Sequence, residues 1–302
     1  MRHLAGYTLI ELLVSLLIFV TIFGFIGLNS FSDQLGASRE TDARNKLQDT
    51  IRVTLMQINT DLEQAGGSWA TGSGENVVNC ADPTMACLVV KTTSSSEGED
   101  GSDGEGSEQQ FWLGFKFMNS LSDQRTSVGC NQVWYIWEPN IGLSYKSVSY
   151  PNTCIGEIAS SEDSGEGDNT PDNASLLLKD VLAFNASIYC RTSDGKILEA
   201  TYASSGESYG QVDCGSGYPS MARIGIFAAS EGESAMDGFD RTAYYSVLPD
   251  DSGPLSPRCI ETILEGSPSD PPEGVVTCPL GKVCACLERS VDLPNFRFIA
   301  FP

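Results

Sequence analysis

The stretch Gly6 to Leu28, GYTLIELLVSLLIFVTIFGFIGL, constrains this chain more than any other. From Leu9 to Leu28, twenty residues are apolar or small except for one carboxylate, Glu11. About 20 apolar residues in a helix are enough to cross the hydrocarbon core of a bilayer. The stub before them carries Arg2 and, in part, the charge of His3, which holds it in the cytoplasm and sends the rest out. A cleaved secretory signal has a shorter apolar region and an A-x-A-like site; here the run is long and continues into LNSFSDQL. A plain signal anchor explains everything except Glu11. A charged group at the centre of a spanning helix costs up to ~3 kcal/mol, less near an end, and such a group is usually paired. A cut after Gly6 supplies a partner. The new amine of Tyr7 then lies four residues before Glu11 on one helical face, and in a bundle of such helices it can meet a neighbour's carboxylate.

No proline occurs before Pro83, so the helix is free to continue past the membrane. Leu35, Ala43, Leu47, Ile51, Leu55, Ile58 and Leu62 form an amphipathic stripe, with Arg39, Glu40, Arg44, Lys46, Asp49 and Arg52 on other faces. Gly66-Gly67 ends the pattern as a C-cap. The rod from Leu9 to Gln64 is ~84 Å long at 1.5 Å per residue. Half of it belongs in a membrane or filament, and the other half packs its stripe against a head. Gly24, Gly27 and Gly36 are points of bending or of close approach by a neighbour.

Beyond the helix the chain reads as strands. Cys87–Thr92, Gln110–Met118 and Gln132–Glu138 are rich in β-branched and aromatic residues, and Pro139-Asn140 turns the last of them into GLSYKSV. Phe111, Leu113, Phe115 and Phe117 alternate, as in a half-buried strand. Further strands are predicted at ASIYC, KILEATY, MARIGIFAA, AYYSVL and FRFIAF. Two intervening loops, Ser94–Gln110 and Glu157–Asp172, each carry six carboxylates and no base. DGSDGEGSE and EDSGEGD fail the EF-hand spacing. A solvated loop is the preferred reading over calcium, and no cofactor is expected.

The formal net charge of −22 argues against direct nucleic-acid binding, which wants Lys and Arg clusters on phosphate. The single histidine, His3, lies in the N-terminal stub, so a processed chain has none and lacks Ser-His-Asp triads, Cys-His dyads and histidine-ligated metals. The acidic residues sit in Gly- and Ser-rich loops, and no enzyme is expected. All ten cysteines lie beyond the apolar segment and read as disulfides of an exported domain. Cys80–Cys87, Cys130–Cys154 and Cys190–Cys214 are near neighbours that each bracket a loop or hairpin. Cys259, Cys278, Cys284 and Cys286 form two more bonds of open pairing, with a zinc site as the sharper alternative.

Gly6, Tyr7, Thr8, Leu9, Ile10, Glu11 and Leu12 resemble the type IV prepilin signature, G-F-T-L-x-E ahead of an apolar helix, with Tyr7 in place of the commoner Phe. That resemblance implies cleavage after Gly6 by prepilin peptidase, N-methylation of Tyr7 and Glu11 as the assembly residue. Met56–Gly67, Gln132–Val148, Leu176–Cys190 and Tyr218–Ser230 are loosely similar to PilW-type minor pilins and to the J-type pseudopilins of type II secretion. The acidic inserts, the cysteine set and the segment after Ser230 depart from that pattern. The implied fold is α+β and type IV pilin-like. Residues 1–6 form a leader, 7–31 a transmembrane and assembly helix, 32–66 its amphipathic continuation, and 67–302 a β-rich, disulfide-stapled head. The implied function is a minor pilin acting in assembly initiation or at the tip, exported through the inner membrane to the pilus and cell surface. Its implied partners are other minor pilins, the major pilin, prepilin peptidase, the inner-membrane assembly platform and a tip adhesin. A secretion pseudopilin or a non-polymerising anchored adhesin are the alternatives.

Overall fold

A single helix, α1 (Leu9–Gln64), runs unbroken for 56 residues. The structure, a computed structural model, describes residues 9–66, 68–70, 77–79, 87–94, 109–118, 130–150, 174–204, 209–233, 243–246, 259–261, 275–276, 278–279 and 282–299, without the side chains of 25–37, 68–70, 77–79, 91–94, 109–110, 117–118, 130, 149–150, 202–204, 209–211, 231–233, 243–246, 260–261, 275 and 297–299. Among these residues the helix is followed by β1 (Ser68–Ala70), β2 (Val77–Asn79), β3 (Leu88–Ser94), β4 (Gln109–Met118), β5 (Cys130–Glu138), β6 (Gly142–Tyr150), β7 (Ser175–Leu178) and β8 (Val181–Arg191). Then come β9 (Ile197–Glu199), β10 (Thr201–Ser204), β11 (Tyr209–Asp213), β12 (Tyr218–Glu233), β13 (Ala243–Ser246), β14 (Cys259–Glu261), β15 (Val275–Val276) and β16 (Lys282–Asp292). A 3-10 helix, Pro294–Ile299, follows. The fold is α+β.

Two antiparallel sheets share one core with α1 and touch each other directly, with the Phe111 and Phe184 rings 5.5 Å apart. The larger has the order β10-β11-β3-β4-β5-β6-β7, the smaller β16-β12-β8-β9. The centre of the larger sheet, β4–β5–β6, is a meander whose β5–β6 turn works because Asn140 and Gly142 adopt φ of 66° and 121°, conformations that Asn and Gly tolerate best. At Gly142 a Cβ would stand 2.3 Å from the Leu178 carbonyl oxygen, so this turn also needs a residue without a side chain.

The stripe on α1 packs as its spacing requires. Leu47, Ile51, Leu55, Ile58, Leu62 and Ala65 are buried in one core with Phe111, Leu113, Phe115, Val133, Tyr135 and Trp137 of the large sheet and Phe184, Ile188, Ile224 and Ile226 of the small one. The helix therefore packs into a core shared by both sheets. Trp137 Nε1 donates to the Val181 carbonyl at 2.8 Å, and the Cys190–Cys214 disulfide joins β8 to the residue just after β11. Each is a tie from one sheet to the other.

The structure corrects three strand expectations. Strand β4 is buried on both faces from Phe111 to Lys116, not half-buried, because Trp112, Trp134, Ile136 and Val89 build a second apolar cluster on its far side. KILEATY is two strands, with buried Ala200 as the joint: Ala200 N donates to Ile188 O, β9 stays in the small sheet, and β10 crosses to the large one. FRFIAF is no strand from Phe296 to Ile299. Pro294, which lacks a donor, opens a 3-10 turn there, and that turn places the Phe296 ring in the core. The long β16 is an element that the sequence reading did not contain.

A third sheet, β14-β13-β15, has strands of three, four and two residues. It lies against the side of the small sheet facing away from α1, where Ala183, Phe227, Ala229 and Cys284 are buried with Val276, Cys259, Cys278 and Cys286 packed on them.

Candidate functional site

The first feature is an apolar sleeve. Every Leu, Ile, Val and Phe from Leu9 to Phe23 is exposed, at 50–79%, and together they surround the helix. Leaving a dozen such side chains in water costs on the order of 10–20 kcal/mol relative to full burial. The sleeve requires a cover of lipid or other helices. Its hydroxyls fit that setting, because Ser15 Oγ donates to Leu12 O at 3.0 Å and Thr21 Oγ1 to Leu17 O at 2.9 Å. Each polar group is thereby returned to the helix itself. The Phe19 and Phe23 rings lie 4.1 Å apart at a tilt of 32°, and a Cβ at Gly24 would meet nothing within 4 Å, so a neighbour has room to come close there. No helix among the described residues is long and apolar enough to cross a membrane.

Glu11 stands inside this sleeve, in the first turn of α1, where the helix dipole favours a negative charge. Gly6 and Tyr7 lie outside the described residues. The exposed pair Val53 and Met56 extends apolar surface along the outer side of the helix, away from the stripe.

A joint between helix and head is the second feature. Tyr135, wholly buried in β5, donates its hydroxyl to Asp61 Oδ2 at 2.7 Å. Its ring lies against Phe115 at 6.2 Å and Tyr145 at 5.4 Å. Burial raises the Asp61 carboxyl above its ordinary value, and the Tyr135 bond partly offsets this. Burial and the nearby Asp61 both push the Tyr135 phenol up. At the helix end, Gly66 takes φ +84° and donates its N–H to Lys116 O at 2.9 Å. Asn295 Nδ2 then caps the Glu63 carbonyl at 2.9 Å. Burial lowers the pKa of the Lys116 ammonium in β4. Sequence reading missed this joint. Its one signal was Asp61, a carboxylate set among the stripe residues Ile58 and Leu62.

The cysteines form the third feature. Cys190 is bonded to Cys214, Cys259 to Cys286 and Cys278 to Cys284, and Cys87 is also in a disulfide. The last four are thus cross-linked two by two, which resolves their open pairing and leaves those four no thiolate for zinc. Cys80 and Cys154 lie outside the described residues, as do 95–108 and 157–172 of the acidic loops. Among the described residues no cluster of His, Cys, Asp and Glu is arranged to hold a metal.

No family model matches the chain, and no solved structure matches it. Among curated proteins it is similar to the pilin-like protein PilA3 of Thermus thermophilus, with 23% identity over 300 residues, 98% of this chain and 99% of that protein. That end-to-end similarity supports a pilin-type family.

Proposed function

From a chain similar over its whole length to a pilin-like protein, we propose a minor pilin of the PilW type that initiates or caps a type IV pilus. Leu9–Leu28 crosses the inner membrane, prepilin peptidase cuts after Gly6, Tyr7 is N-methylated, and the freed helix joins a bundle with other minor pilins and the major pilin. The role is mechanical, with no catalysis and no cofactor. One observation carries this reading. A sleeve exposed all round, with one carboxylate in its first turn, is fixed to a head by a helix that both sheets grip. A lipid anchor has use for the sleeve but none for Glu11.

The test is Glu11→Ala in the full chain. Removing a charge from an apolar helix makes insertion easier. The variant is expected to insert and be cleaved as before, yet to be absent from sheared filaments. Assembly equal to the native chain overturns the role given to Glu11. Mass analysis of the mature N-terminus is expected to begin at methylated Tyr7, and a chain that still starts at Met1 overturns the processing step.

A further inference from the structure

Lys116 and Gln132 meet on the side of the large sheet that points away from α1. They are register partners in β4 and β5, so both side chains leave the sheet on one face. The main chain decides how close they come. Lys116 N donates to Cys87 O, and Lys116 O accepts from Gly66 N, both at 2.9 Å. The N–H and C=O of a strand residue point to one edge, so those of Lys116 are directed to the β3 side and not at β5. Lys116 and Gln132 are therefore a non-hydrogen-bonded pair, the kind in which Cα atoms approach to about 4.5 Å and side chains lie closest.

Both side chains are shut away from water, with Lys116 4% and Gln132 2% exposed. Trp134, two residues from Gln132 on β5, lays its ring over Gly114, two residues from Lys116 on β4, and closes one side of the pair. In this setting Gln132 Nε2 has no hydrogen-bond partner. A buried donor left unpaired costs free energy, and so does a buried ammonium. Both costs disappear if amine and amide combine. Burial also lowers the pKa of Lys116, which favours the neutral, nucleophilic amine.

We infer that the folded head joins Lys116 to Gln132 by an intramolecular isopeptide bond between β4 and β5. The lone pair of Lys116 Nζ attacks Gln132 Cδ, and the tetrahedral centre collapses with loss of Nε2. One C–N bond forms at Nζ and one breaks at Nε2. The proton given up by Nζ goes to the leaving nitrogen, which departs as ammonia. A neutral amine and a primary amide become a secondary amide and ammonia, with no oxidant, reductant or further reactant. Folding supplies the proximity, since well-oriented intramolecular reactions reach effective molarities of ~10⁵–10⁸ M. Ammonia escapes to bulk, and the exclusion of water protects the new bond from hydrolysis. Because Gly66 at the end of α1 is held by the Lys116 carbonyl, the bond anchors the strand that meets the helix end to the middle of its sheet.

The experiment is peptide mapping by mass spectrometry of the full chain, purified in detergent, reduced, alkylated and cut with trypsin. Trypsin is expected to skip Lys116 and release one branched peptide, residues 92–125 joined to 126–146, lighter by one ammonia than its two parts together. Fragment ions are expected to place the link at Lys116 and Gln132 in the majority of molecules. Lys116→Arg keeps the charge and the stem, and is expected to yield linear peptides only. The native chain recovered in denaturant without ever folding is expected to do the same. Separate linear peptides from the folded chain, with cleavage after Lys116 and Gln132 intact, overturn the proposal. Ammonia loss mapped to any other residue overturns it too, and a branch already present in the never-folded chain refutes a reaction driven by the fold.

Discussion

Gly114 in β4 shows how narrowly one atom is excluded from this head. A Cβ there would lie 2.2 Å from the Trp134 ring, which meets Trp112 edge-on at 5.9 Å inside a buried cluster. Overpacking of this kind costs typically 1–3 kcal/mol. Gly114→Ala is expected to destabilise by about 2 kcal/mol or more, measured by denaturant unfolding of the head. Asp61 gives a pH signature. Its folded pKa is raised above the unfolded one, so its contribution to stability is fully present below the unfolded value near 3.8 and is lost as pH rises through the folded value. Replacing it by Asn, which still accepts from the Tyr135 hydroxyl, removes that loss. Asp61→Asn is therefore expected to gain on the native chain between pH 4 and 7, with the gap closing as pH falls. Partial exposure screens the effect, and a slope of the opposite sign in paired melts refutes it.

At the scale of elements, α1 shows what periodicity conveys. Ile58 is wholly buried among residues of both sheets, and Ile58→Ala is expected to cost ~2–5 kcal/mol in the same unfolding measurement. Thr60, on the exposed side, is the control, and Thr60→Ala is expected to stay within about 0.5 kcal/mol. The stripe, the Pro139-Asn140 hairpin and the strand runs at Cys87–Thr92, Gln110–Met118 and Gln132–Glu138 were legible because local spacing and turn chemistry specify them. Ala200 was not, since the choice between two sheets is made by distant partners. Strand β16 escaped because Cys284, Cys286, Glu288 and Arg289 interrupt the apolar alternation, and its pairing with β12 supplies what the pattern lacks. The Phe296 turn escaped for the converse reason: an aromatic run reads as a strand until Pro294 and the helix end claim it. Of the candidate site, the sleeve and Glu11 were plain from composition, whereas the Asp61–Tyr135 bond joins residues 74 apart in sequence.

For the whole molecule, the two sheets are separate hydrogen-bonded units and, among the described residues, are held by α1, by Trp137 and by the Cys190–Cys214 disulfide. Breaking that tie with Cys190→Ala and Cys214→Ala is expected to cost ~2–4 kcal/mol, since the bond closes a loop of 24 residues. The proposed place at a filament end follows from bulk and charge. Without Arg2 of the leader each copy keeps 17 basic and 40 acidic side chains, a formal charge of −23, and at a Debye length of ~8 Å adjacent heads repel. Quantitative mass spectrometry of sheared filaments is expected to find far fewer copies than of the main subunit, and a comparable number refutes the end position.

The cap on α1 sets an order of events during synthesis. Asn295 closes the Glu63 carbonyl across 232 residues, and the Phe296 ring lies over Gly66, where a Cβ would come within 2.7 Å of it. Chains emerge from the ribosome N-terminus first, so the rod is made long before the part that fastens its lower end. Until then the Glu63 carbonyl lacks its Asn295 cap. The helix end is therefore fastened to the head only once the segment around Asn295 has been made and has docked.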